Sequence, residues 1–126
     1  MNVNVAYSRI IPFKGFFCMN FFGLLIFRRE DKGYVESALS HPEYHPSFMK
    51  TINHESIHTA QMKETLYIGF YILYLLEWLI RLITPPYDSA YRDISFEREA
   101  YSNEKNLNYL DSRPHFVWTK YIFRRD

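Results

Sequence analysis

The sequence contains a single cysteine, Cys18, among its 126 residues. No internal disulfide can form, and a zinc site built from several cysteines is excluded. One thiol suits a reducing compartment, so we expect a cytoplasmic location, with membrane association as the alternative. The charges nearly cancel, with 15 basic and 14 acidic residues and a net charge of +1. This balance lacks the basic surface of a nucleic-acid-binding protein, and no nucleic-acid partner is expected.

A long hydrophobic run is also missing near the start of the sequence. The apolar segment from Gly15 to Phe27 is shorter than the roughly 20 residues that cross a bilayer as a helix. Arg28 and Arg29 follow it directly, without the small residues of a cleavage site, so no signal peptide is predicted. The mean hydropathy of −0.29 argues against a protein with several membrane spans.

The composition predicts one folded domain, residues 1–126, because 48% of the chain is hydrophobic and 19% is aromatic. Interrupted apolar segments predict two antiparallel strands, near residues 11–19 and 21–29. A loop should follow, with a short helix at 34–39. Two His-Pro steps after that helix disfavour a longer one.

Residues 51–83 have a helical pattern, interpreted as two helices or one bent helix. Thr51 or Asn53 can cap its start, and Gly69 marks a kink or a break. Two consecutive prolines end it.

A further helix should run from Ser95, its predicted cap, to about Leu110. A short helix at 115–123 closes the chain. The expected fold class is α+β, with a small antiparallel N-terminal sheet packed on three to four helices.

The clearest motif is HExxH at residues 54–58. His54 and His58 are four residues apart, so on a helix both imidazoles lie on one face and can bind the same ion. Zinc accepts such ligands at about 2.0–2.1 Å in tetrahedral geometry. It lowers the pKa of a bound water to about 7, and Glu55 can accept that proton. HExxH therefore predicts a Zn²⁺ cofactor, two of its ligands and a general base.

A catalytic zinc ion usually has three protein ligands and one open position. The histidines outside the motif, His41, His45 and His115, are candidates for the third ligand. The carboxylates of the predicted helix 95–110 are better placed, because a rigid helix can pack against the one that carries HExxH.

HExxH followed on a later helix by Glu-x-x-Ala, here Glu97 to Ala100, resembles the glutamate-type zincins. The membrane-associated CAAX-protease and heat-shock protease family and the ImmA-type metallopeptidases share this layout. The resemblance implies a minimal zincin-like fold with zinc ligands His54, His58 and Glu97 and with Glu55 as the catalytic base.

The chain is also similar to a group of small bacterial HExxH proteins, over the span from Pro12 to Glu104. Their pattern is a Pro-Phe-Lys-Gly strand, HExxHxxQMKE, an aromatic helix and Phe-Glu-Arg-Glu-Ala-Tyr. This second resemblance implies no activity. The sequence departs from the proteases at Tyr101, where they often have Asp or Asn. Glu104 or Asp93 would then have to orient a ligating histidine.

Three carboxylates of the predicted helix compete for the metal, and helical geometry separates them. Glu97 and Glu99 point roughly 200° apart and cannot both face the ion. Glu104 lies two turns from Glu97, about 10 Å along the axis, so only one of them can be a ligand. We predict Glu97 as the ligand, Glu104 as a partner of a ligand, and Glu99 on the solvent side.

Further polar residues have two interpretations each. Gln61 lies one turn after His58 and could bond a group beside the metal, or it could be an exposed polar residue; the same holds for Glu64. Three residues are candidates for stabilising an oxyanion in the transition state: Tyr101, Arg92 and His115.

An aromatic stripe follows one face of the predicted helix 51–83, formed by Tyr67, Tyr71, Tyr74 and Trp78. It could pack against the Phe-rich N-terminal strands, or form a membrane or dimer surface. Glu77 and Arg81 form an i,i+4 pair in the same segment and argue against a helix that simply spans lipid.

The favoured function is hydrolysis of a peptide or small amide substrate by a metallopeptidase-like protein, with Glu55 as base. One alternative is a zinc-stabilised structural or interaction module without turnover. The other is a protein that contacts a membrane peripherally through its aromatic helix. A homo-oligomer is compatible with each.

Overall fold

A computed structural model describes residues 3–12, 16–85 and 89–123, and it confirms the predicted α+β class. The strands are β1 (Asn4–Ser8), β2 (Cys18–Phe21) and β3 (Leu24–Arg28). The α-helices are α1 (Lys32–Ser40), α2 (Pro46–Glu64), α3 (Ile68–Leu82), α4 (Ser95–Asn103) and the single turn α5 (Tyr109–Ser112). Short 3-10 helices lie at Arg29–Asp31, Pro42–Tyr44 and Val117–Tyr121.

The three strands form one sheet in the order β1-β3-β2. β2 and β3 are antiparallel, as predicted, and a two-residue turn joins them, with Phe22 and Gly23 both at positive φ. β1 pairs in parallel with β3 and was not predicted, so the sheet is mixed rather than antiparallel. Its five residues show too little alternation to be recognised. The predicted strand at 11–19 is also too long, since β2 begins at Cys18, although residues 13–15 lie outside the described part.

The predicted helix 51–83 is two helices, α2 and α3, that are bent by 107°. The break lies at Leu66 and Tyr67, which both have positive φ, and not at Gly69, which is inside α3. The predicted start was also wrong. α2 begins at Pro46, because a proline fits the first position of a helix, where its missing N–H has no intrahelical partner. Thr51 and Asn53 therefore lie within α2 and do not cap it.

α4 is held at both ends by side chains from other helices. Ser95, the predicted cap, is instead its first residue, and its N–H and hydroxyl donate to the Glu77 carboxylate of α3 at 2.8 and 2.7 Å. At the other end, the Asn53 amide of α2 donates to the carbonyls of Glu104 and Asn106 at 2.8 and 2.9 Å. These bonds fix α4 against α3 and α2, which places the Glu97 carboxylate of α4 opposite the HExxH motif.

Two apolar clusters form the core. The first joins β3, α1 and the start of α2: Leu25, Phe27, Val35, Ala38, Phe48 and Ile52. The second joins the end of α2 to α3 and α4: Met62, Phe70, Ile94 and Phe96. Within the described residues, no single helix is long and apolar enough to cross a membrane; α2 and α3 would suffice only as a bent pair.

Candidate metal centre

Three side chains converge between α2 and the first turn of α4. The Nε2 atoms of His54 and His58 and the Oε1 atom of Glu97 lie 3.1 Å from one another, pair by pair. All three residues are buried, with 3% to 7% of their surface exposed. Ligands at about 2.0–2.1 Å from a tetrahedral zinc ion are separated by roughly 3.3–3.4 Å. This cluster could hold a metal ion with little adjustment.

The outer nitrogens of the two imidazoles fix which ring nitrogen carries a proton. His54 Nδ1 lies 3.2 Å from the carboxylate of Glu104, which can only accept. His58 Nδ1 lies 2.8 Å from Oε1 of Gln61, whose amide group donates in turn to Glu99 at 2.9 Å. Both Nδ1 atoms are therefore the donors, and each neutral ring presents the lone pair of Nε2 to the cluster.

The two carboxylate oxygens of Glu97 have separate roles. Oε2 accepts a 2.6 Å hydrogen bond from the hydroxyl of Tyr74, while Oε1 faces the two imidazoles. Glu97 also lies in the first turn of α4, where the helix dipole favours a negative charge. Burial opposes ionisation, but hydrogen bonds from the imidazoles, when their Nε2 atoms carry a proton, and from Tyr74 outweigh it and lower the pKa of Glu97.

The same environment acts on His58. Burial disfavours its charged form, yet the hydrogen bond and charge of Glu97 outweigh burial and raise the pKa of His58 to about 9. Three acceptor atoms facing one another thus need a positive charge at their centre, supplied by a proton or by a metal ion.

Glu55 lies beside this cluster. It lines a cleft of about 140 Å³ together with His58, Glu97 and Tyr74. Burial raises the pKa of the Glu55 carboxyl, and the two imidazoles partly offset this effect. The Asn20 side chain of β2 donates to the backbone carbonyl of Glu55 at 2.9 Å, which ties the sheet to α2 at this point. A larger cavity of about 610 Å³ involves neither the histidines nor Glu97.

The other carboxylates that the sequence singled out have different partners. Glu104 is the partner of His54, whereas Asp93 pairs with Arg98 at 3.3 Å. Glu99 was expected in solvent and is fully buried, so that expectation is wrong. Its oxygens bind Gln61 of α2, the hydroxyl of Tyr109, and Arg113.

The other histidines are not part of the cluster. His41 is exposed and lies 4.0 Å from Glu43, and the ring of His45 packs against Tyr34. His115 is 89% exposed at its side chain and contacts Glu64, so it does not reach the cleft as an oxyanion stabiliser.

Tyr101 and Arg92, the other predicted oxyanion stabilisers, contact the outer side of the cluster. The ring of Tyr101 lies 4.6 Å from that of His54, centroid to centroid, and the Arg92 guanidinium lies 3.9 Å from the Tyr101 centroid. Sequence reasoning missed Tyr74 and Tyr91, which both interact with the Glu97 carboxylate. Tyr74 was visible as part of the aromatic stripe, but no spacing linked it to Glu97.

Comparisons with models of protein families, with curated proteins and with solved structures gave no match.

Proposed function

We propose that this protein is a zinc-dependent hydrolase of peptide or amide bonds. The observation that carries the proposal is the convergence of three buried lone pairs with the carboxylate of Glu55 in the same cleft. Two imidazoles and one carboxylate form a donor set that zinc uses in hydrolytic enzymes. A zinc ion held there would polarise a substrate carbonyl and acidify a water molecule.

Different residues of the chain would bind the ion, orient its ligands and transfer the proton. His54, His58 and Glu97 would bind the ion, and Glu104 and Gln61 hold the imidazoles in the orientation that binding requires. Glu55, which lines the same cleft, would accept a proton from a water molecule and later donate it to the leaving amine. The resemblance to glutamate-type zincins supports the same assignment of roles.

Glu55→Gln tests this proposal. The amide keeps the size of the side chain but cannot accept the proton, so zinc content should stay near one per chain. Cleavage of fluorogenic peptides should fall by roughly 10²–10⁴-fold. Glu43→Gln, at an exposed carboxylate, is the matched control and should retain activity. Wild-type turnover in Glu55→Gln would refute the role of Glu55.

A second candidate is a zinc-stabilised module without turnover. The edge of β2 favours it, because the Tyr71 hydroxyl donates to the carbonyl of Asn20 and accepts from the N–H of Phe22, each at 3.1 Å. An extended peptide therefore cannot pair with those two backbone groups. A wild-type protein that binds zinc but cleaves no member of a diverse peptide library would favour this candidate.

A further inference from the structure

In the helix α3 the charged side chains face the protein and most of the apolar side chains face outward. Its two charged residues face the protein: Glu77 binds the start of α4, and Arg81 donates to the carbonyl of Ile122. Three of its aromatic side chains also face inward, since Phe70 belongs to the core and Tyr71 and Tyr74 bond to β2 and to Glu97. Most of the aromatic stripe is thus a packing surface, which is the first of the two roles predicted for it.

The outer face of α3 is almost entirely aliphatic. Every exposed residue of this helix is apolar: Ile68, Ile72, Leu73, Leu75, Leu76, Trp78, Leu79, Ile80 and Leu82. Each exposes between 37% and 64% of its surface. Contiguous exposed apolar residues of this kind are uncommon on monomeric proteins and mark protein or membrane interaction sites.

The same surface continues onto the turn between β2 and β3. Phe21 and Phe22 are exposed there, and they line an apolar groove of about 430 Å³ with Ile68, Ile72 and Leu75 of α3. We call the outer face of α3 and this turn the apolar patch. Tyr71 lines both this groove and the cleft beside Glu55, so the patch reaches the mouth of the candidate metal centre.

We propose that the apolar patch inserts into the surface of a phospholipid bilayer, with α3 lying in the plane of the membrane. At 15 residues α3 is about 22 Å long, which is short of the hydrocarbon thickness of roughly 30 Å. A helix in the interface, with its apolar face among the acyl chains, matches this length.

The shape of the patch favours lipid over a second copy of the chain. At about 100° per residue, the exposed residues of α3 occupy an arc of roughly 200°. Helix pairing covers a stripe of about 100°, so a dimer through α3 would leave much of the arc in water. Lipid chains can cover a convex ridge of any width.

The lack of hydrogen-bonding groups on the apolar patch also favours lipid over a protein partner. A protein interface has about one hydrogen bond per 100–200 Å². Apart from the indole of Trp78, the exposed side chains of α3 cannot donate or accept a hydrogen bond. Lipid acyl chains demand none. Docking by this patch does not depend on the proposed hydrolytic activity.

The test is co-sedimentation of the full chain with phosphatidylcholine vesicles at low and high salt. Because binding comes from apolar insertion, it should persist at high salt. The double variant Ile72→Gln/Leu79→Gln should bind the vesicles on the order of 10- to 100-fold more weakly, because two apolar side chains that would lie among the acyl chains are replaced by polar ones. Tyr44→Gln/Leu107→Gln is the matched control, because both residues are exposed near the first half of α2, away from α3.

A second measurement does not need a variant. Trp78 lies on the exposed face, whereas Trp118, the other tryptophan, packs against Phe96, so phosphatidylcholine with brominated acyl chains should quench the Trp78 part of the fluorescence. Absence of wild-type binding would overturn the proposal, as would unchanged binding by Ile72→Gln/Leu79→Gln. A dimer that this variant dissociates, without vesicle binding by the wild type, would assign the patch to a second copy instead.

Discussion

Each histidine of the candidate metal centre uses its two ring nitrogens for different contacts. The inner Nε2 atoms face Glu97, and the outer Nδ1 atoms face Glu104 and Gln61. The outer contact sets the tautomer and the direction of the ring, so it affects metal binding without touching the ion. Removing an inner ligand atom should therefore reduce zinc affinity more than removing an outer hydrogen-bond partner.

We predict a graded loss of zinc affinity. Glu104→Gln weakens the partner of His54 and should cost about 10- to 100-fold in affinity. Glu97→Ala removes an atom of the cluster itself and should cost more than that. Competition with a chelator of known affinity measures both.

Glu43→Ala is the control for this series, because its carboxylate is exposed and lies beside His41. It should bind zinc like the wild type. If Glu97→Ala also binds zinc like the wild type, Glu97 is not a ligand.

The spacing along a helix predicted that His54 and His58 share one face, and the resemblance to glutamate-type zincins implied Glu97 as the third ligand. The spacing also separated Glu97 from Glu99, but it placed Glu99 in solvent. The error arose because α4 is buried all round over Ser95–Ala100, and the partner of Glu99, Arg113, comes from a segment beyond α5. Helical periodicity assigns a residue to a face, but it does not show what covers that face.

At the scale of elements, a buried charge network joins α2 and α4 to the segment after α5. Arg113 donates to the Glu64 carboxylate at 2.8 and 3.0 Å and to Glu99 at 3.1 Å. The side chains of all three are at most 6% exposed. Since Glu99 also binds Gln61, this network connects the end of α2 to the partner of His58.

The network predicts a pH dependence of stability. Burial alone would raise the pKa of Glu64, but the bonds from Arg113 and from the N–H of Phe116 outweigh it and lower the pKa. The contribution of the ionised carboxylate is complete above its ordinary value of 4.5 and is lost as the pH falls through the lowered pKa. The free energy of unfolding, from urea titration, should decline over that range.

Glu64→Gln should lower the free energy of unfolding by about 1–3 kcal/mol at neutral pH, since Arg113 loses a charged partner. Below pH 4.5 its stability should depend on pH less steeply than that of the wild type. Loss of any bound metal at low pH would affect both proteins alike. If the stability of Glu64→Gln depends on pH as steeply as that of the wild type, the pKa of Glu64 does not differ between the folded and unfolded states.

Several elements could be predicted because their signals are local. The short helix predicted at 34–39 lies within α1, and the apolar pattern gave β2 and β3 in the correct antiparallel order. The break between α2 and α3 was misplaced, because two non-glycine residues adopt positive φ there instead of Gly69. Such a conformation depends on tertiary contacts, here the packing of Tyr67 against Phe22.

In the whole molecule, the candidate metal centre lies along α2 between the two apolar clusters. The first cluster ends on α2 at Ile52 and the second begins at Met62, with both histidines of HExxH between them. α4 joins this arrangement through Glu97 and through Phe96 of the second cluster. Any ion bound there would therefore link α2 and α4.

Removal of the metal should then lower the stability of the whole chain. A ligand that binds only the folded state stabilises it by about 4 kcal/mol when its free concentration is 1,000 times its Kd. Thermal unfolding of the zinc-loaded protein should therefore shift to a lower Tm after dialysis against a chelator, and added zinc should restore it. His54→Ala removes one Nε2 atom of the cluster, so its Tm should respond much less to chelator or zinc. If the wild type binds one zinc ion per chain but keeps the same Tm with and without it, the ion does not stabilise the folded state through this site.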